Sequence, residues 1–377
     1  MHKRMKRVYS SAFPDKDLWH RLPPDCENLV ISFLPLRDVA SKVTVLSQRF
    51  RGLALAQPHW GSVHLNRASN QNVQRLLRAH GRKFRSLKLC GMRISRGICQ
   101  SITQHCVVLE RLDLVGVWNS PALNIRFTKT VATLPCLKSL KFGTNNVCAK
   151  GMKHLCLGLK DTLEELDFNA RNLPTSGFYP IEHLKKLKSL TLRSSNHVDL
   201  SVVERSVCTL PNLKHLHLCF LPRLSRRAVG MLCETIGSQL VTLVLNGMFL
   251  LPADVEAIGK RMPKLEILSL CHHRHGSTLF ENFYSASLRI LMVFHCRQMR
   301  TFSWVKGLER LQVLCLYRCS FQQSTLHNFA RNKGKHILFR IFSHRPIRNH
   351  GVQEEDIEFE EAPNVIPLSI FEPRYRF

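Results

Sequence analysis

The residues with the most evident chemical capacity are clustered cysteines and histidines. Cys271-His272-His273-Arg274-His275 offers thiol and imidazole groups of the kind that hold zinc. No second ligand pair stands at a fixed spacing elsewhere, and the tract falls where a strand turns into a loop. No metal site is expected from it. His215 and His217 alternate with Cys219 and so share one face of an extended segment. That arrangement would set an imidazole beside a thiol for nucleophilic catalysis, but the sequence identifies no carboxylate to orient the pair. Glycine-rich phosphate loops and nucleophile elbows do not occur. The chain reads as a non-catalytic binder without a cofactor, its chemistry supplied by partners.

Composition narrows what such a binder is. The chain has 377 residues, 44% of them hydrophobic and 22% charged, enough to bury a large core. Its 55 basic and 27 acidic residues give a net charge of +28. Of that excess, +26 lies within residues 62–342. Such a field attracts acidic partners over a distance set by salt. The 14 cysteines form no CxxC pair and follow no secretory leader, since MHKRMKR lacks an apolar core. Reduced thiols in a cytoplasmic or nuclear protein are expected. The most apolar stretch, Leu240 to Leu251, is broken by Asn246 and Gly247 and is too short to cross a membrane.

The elements that must carry any binding surface are repeats. LERLDL at Leu109 recurs as LKSLKF from Leu137, LEELDF from Leu163, LKSLTL from Leu187 and LKHLHL from Leu213. LVTLVL from Leu240, LEILSL from Leu265, LRILMV from Leu288 and LQVLCL from Leu311 continue it, with FRSLKL from Phe84 as an earlier copy. A worn final copy lies around Ile337 to Ile341. The starts advance by 23 to 28 residues. Alternate leucines give each copy one buried strand face. Between copies the spacing is helical: Ile98, Ile102 and Cys106; Met152, Cys156 and Leu159; Val229 and Cys233; and the run Ala253 to Ile258. One strand–helix unit cannot bury its apolar side alone, so neighbours must stack.

This tract, roughly residues 62–342, resembles the leucine-rich-repeat family, in its longer, cysteine-containing form. Asn145, Cys296 and Cys319 hold the place after the strand where that family has Asn or Cys. Met92, Val117, Arg171, Ser195, Leu221, Met248 and His273 occupy it elsewhere, so an irregular arc is expected. Pro135, Pro211 and Pro263 precede strands, where the family stops its helices. The resemblance implies an α/β fold: a curved solenoid with parallel strands on the concave face and helices on the convex face. Ten to eleven repeats are expected, with an inner rim of roughly 50 Å.

Residues 19–61 follow another rule. Leu22-Pro23 opens a helix bearing Leu29, Val30, Phe33 and Leu34, Pro35 breaks it, and two further short helices follow. The leading LP, the ISFLP turn, the Asp after it, the Ser-Gln-Arg-Phe tract and the terminal Trp resemble an F-box. Phe50, where that family usually has Trp, and the Pro24-Asp25-Cys26 opening depart from its pattern. The resemblance implies a three-helix module that docks on the adaptor of an SCF-type cullin–RING ubiquitin ligase, and through it on the cullin. The contacts it carries over are Leu22, Pro23, Leu29, Ile31, Leu34, Pro35 and Val45. The same helices would cap the first repeat. Residues 1–18 form a basic tail, in which Lys3, Arg4, Lys6 and Arg7 give a weak nuclear signal, and residues 343–377 a tail with the acidic run EEDIEFEE.

On the repeats, residues between the strand leucines should face outward on the concave side. Early rows are polar, whereas late rows bring together Ile267, Ile290, Met292, Phe294, Val313 and Tyr317. These are the expected contacts for an acidic or phosphorylated protein substrate, exposed apolar surface being a usual mark of a binding site. The acidic tail is the other occupant considered for that face. Arg223, Arg226 and Arg227, or Arg331, Lys333 and Lys335, could meet phosphate. With no interleaved aromatics and no nucleic-acid-reading module, nucleic acid is not the expected partner. An interaction scaffold without a ubiquitin role, or a basic nucleic-acid-associated repeat protein, is the alternative reading.

Overall fold

The computed structural model describes residues 22–34, 39, 43, 46, 48–115, 117, 125–143, 147–169, 171, 173–193, 195–221, 223–248, 250–271, 276–296, 299–317, 319 and 337–342. The chain divides into a unit ending at Phe342 and a second unit, Ser343–Phe377; every described residue belongs to the first. Both tails, Pro35, Val45, Asn145, the His272 to His275 tract and the cluster Arg331, Lys333 and Lys335 lie outside the described residues.

The repeats form one parallel sheet of twelve strands paired strictly in sequence order. They are β1 (Ser62–Asn66), β2 (Ser86–Cys90), β3 (Arg111–Leu114), β4 (Ser139–Gly143), β5 (Glu165–Asn169) and β6 (Ser189–Arg193). The second half is β7 (His215–Cys219), β8 (Thr242–Asn246), β9 (Ile267–Cys271), β10 (Ile290–Phe294), β11 (Val313–Tyr317) and β12 (Leu338–Phe342). Strand β1 exceeds the expected number because SVHLN lacks the full leucine pattern; its Val63 alone is fully buried. Along each later strand the leucines enter one continuous core, with Leu87, Leu140, Leu190, Leu243 and Leu291 all inaccessible to solvent. The fold is thus the α/β leucine-rich-repeat solenoid.

The return segments differ more than the strands. In the N-terminal module, α1 spans Pro24–Ser32 and α2 spans Gln48–Ala56. In the repeats, α3 (Asn70–His80), α4 (Arg96–His105), α5 (Ile125–Val131), α6 (Ala149–Gly158), α7 (Arg226–Thr235) and α8 (Pro252–Arg261) are regular. Ser69 and Ser95 cap α3 and α4 by accepting the amides of Asn72 and Ile98. Between β6 and β7 a short α turn, Leu200–Val202, runs into a π turn, Val203–Val207, and other returns shrink to 3-10 turns at Thr175–Gly177, Tyr179–His183, Gly276–Phe280 and Ser303–Gly307. The expected helical positions are buried: Ile98, Ile102 and Cys106 on or just after α4, Met152 and Cys156 on α6, Val229 and Cys233 on α7.

The turn after each strand explains how an incomplete polar ladder is tolerated. Arg67, Phe220 and His295, each directly following a strand, have positive φ of 52°, 55° and 54°, as do Gly91 and Gly247 at 63° and 81°. In that conformation their amides donate to the next strand: Phe220 to the Asn246 carbonyl and His295 to the Tyr317 carbonyl, both at 2.8 Å. Only glycine adopts this backbone freely. Beyond the turn, the Cys319 thiol reaches the Val293 carbonyl at 3.3 Å, the role expected for a cysteine there. Apolar occupants such as Met92, Leu221 and Met248 are instead buried in the core.

Two cores result. A small one gathers Ile31, Val39, Val43 and Ala54 with Leu34, Phe50 and Leu53 packed on it; the large one runs from Trp60 to Leu316. Trp60 joins them. Its indole nitrogen donates to the Ala54 carbonyl at 2.8 Å, and its ring lies over His80 and Phe84 at 4.2 and 6.3 Å between centroids. Within the small module, Arg49 pairs with the buried carboxylate of Glu27 at 2.9 Å and so ties α2 to α1. Trp60→Ala removes both the bridge and the seal on the first repeat. We expect a loss of about 3–5 kcal/mol in denaturant unfolding, with the N-terminal module becoming the first segment cut in limited proteolysis.

Candidate functional site

The outward face of the sheet is ordered in three columns, because every strand pairs in register with the next. One column runs Glu165, Ser189, His215, Thr242, Ile267, Ile290, Val313; the middle one runs Asp167, Thr191, His217, Val244, Ser269, Met292, Cys315. The third runs Asn169, Arg193, Cys219, Asn246, Cys271, Phe294, Tyr317. Neighbouring strands lie about 4.8 Å apart, so the middle column is flanked on all sides by side chains. That crowding corrects the expectation for the late rows. Met292 is 2% exposed and Ile267 is buried too; they form the floor of the surface and not its contacts. Ile290, Phe294, Val313 and Tyr317 remain half-exposed around that floor. The rings of Phe294 and Tyr317 lie 5.5 Å apart, tilted at 44°.

The earlier rows are charged but balanced. Lys88 pairs with Asp113 at 3.4 Å and Lys141 with Glu165 at 2.5 Å, while Arg193 pairs with Asp167. Glu165 also accepts from Ser139 at 2.6 Å. Over β1 to β11 the described outward positions hold four cations, Lys88, Arg111, Lys141 and Arg193, against three anions, Asp113, Glu165 and Asp167. The +26 excess therefore lies almost wholly off this face, and its charge does not select an acidic substrate there. Burial raises the Asp167 carboxyl despite the opposing Arg193 and Lys141. In the third column the side-chain oxygens of Asn169 and Asn246 are buried without a hydrogen-bond partner among the described residues.

The His–Cys face has the carboxylates that the sequence did not reveal, since Glu165 and Asp167 stand two strands away in its own columns. They do not activate it. Burial pushes the Cys219 thiol up to about 12, with Arg193 and Asp167 opposing each other as smaller influences. Burial, with His215, Arg193 and Lys141 nearby, lowers His217 to about 4. At neutral pH thiol and imidazole are both uncharged, the reverse of an activated pair. Among the described residues no group of three or more His, Cys, Asp or Glu side chains is arranged to hold a metal ion. None of the fourteen cysteines forms a disulfide.

The N-terminal module presents a second surface. Leu29 is 58% and Phe33 79% exposed, and Leu22, Pro23 and Val30 are also exposed on or beside α1. Leu46, after α1 in the chain, is exposed as well, and Leu34 is half-buried. Ile31 corrects the sequence expectation: at 2% exposure it belongs to the module's own core. The helical period that turns Leu29, Val30 and Phe33 outward turns Ile31 inward. Val30, Phe33 and Leu46 stand on this exposed surface without having been counted among its contacts.

No family model matches the chain, and no curated protein matches it. Solved structures do resemble it. The complex of Rad7 and Elc1 from yeast aligns over 85% of this chain and 93% of its own, with 12% identity and a TM-score of 0.44. The complex of TLR13 with the RNA ssRNA13 aligns over 71% of this chain, with 18% identity and a TM-score of 0.44. This chain spans 37% of that one's length. No helix among the described residues is long and apolar enough to cross a membrane.

His217 makes the face sensitive to acid. Its pKa is about 4 folded against 6.5 unfolded, so the unfolded chain binds the proton first as pH falls. Its contribution is complete above about pH 6.5 and is lost progressively down to about pH 4, where it levels off. The loss is on the order of 1–3 kcal/mol. His217→Gln should flatten the fall in unfolding free energy across that window; an unchanged slope would assign the fall to other groups.

Proposed function

We propose that the chain is the substrate-recognition subunit of an SCF-type ubiquitin ligase, docking on the adaptor through residues 19–61 and holding a protein substrate on the repeats. The observation that carries this reading is the exposed apolar row on α1. Leu29, Val30 and Phe33 are exposed, as are Leu22 before them and Leu46 after them in the chain, and none belongs to the module's own core. A helical cap needs one apolar side, against the first repeat. This module has a second, and a contiguous exposed apolar surface marks a protein contact. It belongs to the stretch whose LP, ISFLP and Ser-Gln-Arg-Phe tracts resemble an F-box.

On this reading the chain is not itself an enzyme. It raises the effective concentration of a substrate lysine beside a conjugating enzyme held elsewhere in the complex, in the cytoplasm or nucleus. The substrate rests on the late rows, where Ile290, Phe294, Val313 and Tyr317 offer aromatic and aliphatic contacts around a closed floor. An N-terminal cap alone, on an interaction scaffold, is favoured by Trp60 sealing the first repeat; the exposed residues of α1 are not needed for that role.

Two experiments test this reading. The purified chain should capture the cullin adaptor, and Leu29→Asp with Phe33→Asp should weaken capture at least tenfold without lowering the melting temperature, because both side chains are exposed. Failure of the unaltered chain to bind sinks the ligase reading. Phe294→Ala with Tyr317→Ala should reduce substrate ubiquitination in the reconstituted ligase while sparing adaptor binding. Equal ubiquitination by the variant would remove the late rows as the substrate site.

A further inference from the structure

Residues 39–109 contain twelve lysines and arginines and not one aspartate or glutamate. Three of the twelve are neutralised by acids just outside that stretch: Arg49 by Glu27, Arg85 by Glu110 and Lys88 by Asp113. Arg75, Arg78 and Arg82 are all exposed. The first two lie three apart on α3, and Arg82 follows four later just past its end, so they form a single stripe. Arg93 and Arg96, before and at the start of α4, are exposed too. Among the described residues none of these five makes an ion pair. Gln74 donates to Ser95 at 3.3 Å and lies against Gly97, which brings the start of α4 alongside the turn of α3 that bears Arg75. Next to the stripe, Lys83 and Arg51 both act on His80 and lower its pKa, after burial itself. That end of the sector is therefore a further concentration of positive charge.

We propose that this arginine sector, Arg75, Arg78, Arg82, Arg93 and Arg96, is a docking surface for an acidic or phosphorylated protein segment, separate from the concave face. Like charges this dense repel one another, and a partner anion relieves that repulsion. All five are arginine, whose planar fork matches carboxylate and phosphate with two hydrogen bonds. A chain lying extended along the helix pair, with acidic side chains every second residue about 6.6 Å apart on a side, meets the stripe at its own spacing. A nucleic-acid strand fits less well. The one Phe, Trp or Tyr within residues 62–109 is Phe84, which is fully buried, so the sector has no exposed Phe, Trp or Tyr on which bases could stack, and the His80 ring is already packed on Trp60. The inference rests on where the charge lies and not on the ligase reading. It also gives a use to part of the basic excess, which the balanced concave face does not use.

The test uses the full chain and fluorescent probes of about twelve units: an oligoglutamate peptide, a phosphoserine-containing acidic peptide, and a single-stranded oligonucleotide. Reversing Arg75, Arg78 and Arg82 to Glu should weaken peptide binding at least tenfold, with the circular dichroism spectrum unchanged. Reversing Lys185, Lys186 and Lys214, exposed cations on other repeats, should weaken it less than twofold. Equal losses in both variants would show that net charge alone attracts the peptides and would overturn the site. Tighter binding of the oligonucleotide, lost in the arginine variant, would keep the place and overturn the partner. Because all three substituted arginines are exposed, a milder Arg→Gln set is a check on folding; it should lose binding in the same order.

Discussion

One carbonyl in each repeat holds the next repeat in place. Just before β2, the Arg85 carbonyl accepts the amides of both Glu110 and Arg111, at 2.8 and 2.9 Å. Glu110 does the same for Lys138 and Ser139, Lys138 for Glu164 and Glu165, and the pattern passes through Glu164, Lys188, Lys214, Val241 and Glu266 to Arg289. From β2 to β10 a shared acceptor just before the strand fixes where the neighbour begins. A slip of one residue would move every core leucine to the outer face. Register is thus set once and inherited along the sheet. The three outward columns, and so the position of every candidate contact, follow from it.

That constraint also organises charge. The residues whose carbonyls form this ladder carry exposed side chains stacked one above another, and several pair: Arg85 with Glu110, Lys138 with Glu110, and Lys188 with Glu164. Each such pair contributes ~0–1 kcal/mol at most in water. Their greater effect is on what is left over. Where acids alternate with bases the surface is quiet; where the sequence supplies no acids, as across α3 and the start of α4, it is strongly positive. On the concave face Lys141, Glu165, Asp167 and Arg193 cancel one another, which leaves the half-exposed apolar side chains at β10 and β11 as its most distinctive chemistry.

Much of this was legible in the chain itself. The LxxLxL copies located β2 to β11, and the faint pattern around Ile337 to Ile341 marked β12, because a period of two with leucines on one side has no stable alternative to a strand in a stacked array. Helical spacing at Ile98, Ile102 and Cys106 named α4's buried side. The first strand was missed, since SVHLN has no second clear core leucine, and the 3-10 returns at Thr175–Gly177, Tyr179–His183, Gly276–Phe280 and Ser303–Gly307 fall where no helical spacing had been named. Among the expected contacts, Leu22, Pro23, Leu29, Phe294 and Tyr317 are accessible, whereas Ile31, Ile267 and Met292 are buried.

The sequence by itself determined the repeat, the sign and place of the charge, and which faces are apolar, because these depend on residue type and short-range period. Only the tertiary structure decided which of those residues meet solvent. Ile31 and Leu29 are two positions apart on one helix and similar in chemistry; the packing of a second helix separates them into core and surface. Met292 and Phe294 differ only in column, and the neighbouring strands close over one and not the other. Glu165 stands 52 residues before His217, yet the register of three strands puts them in one field. Burial is a property of neighbours, and neighbours distant in the chain are set by the fold.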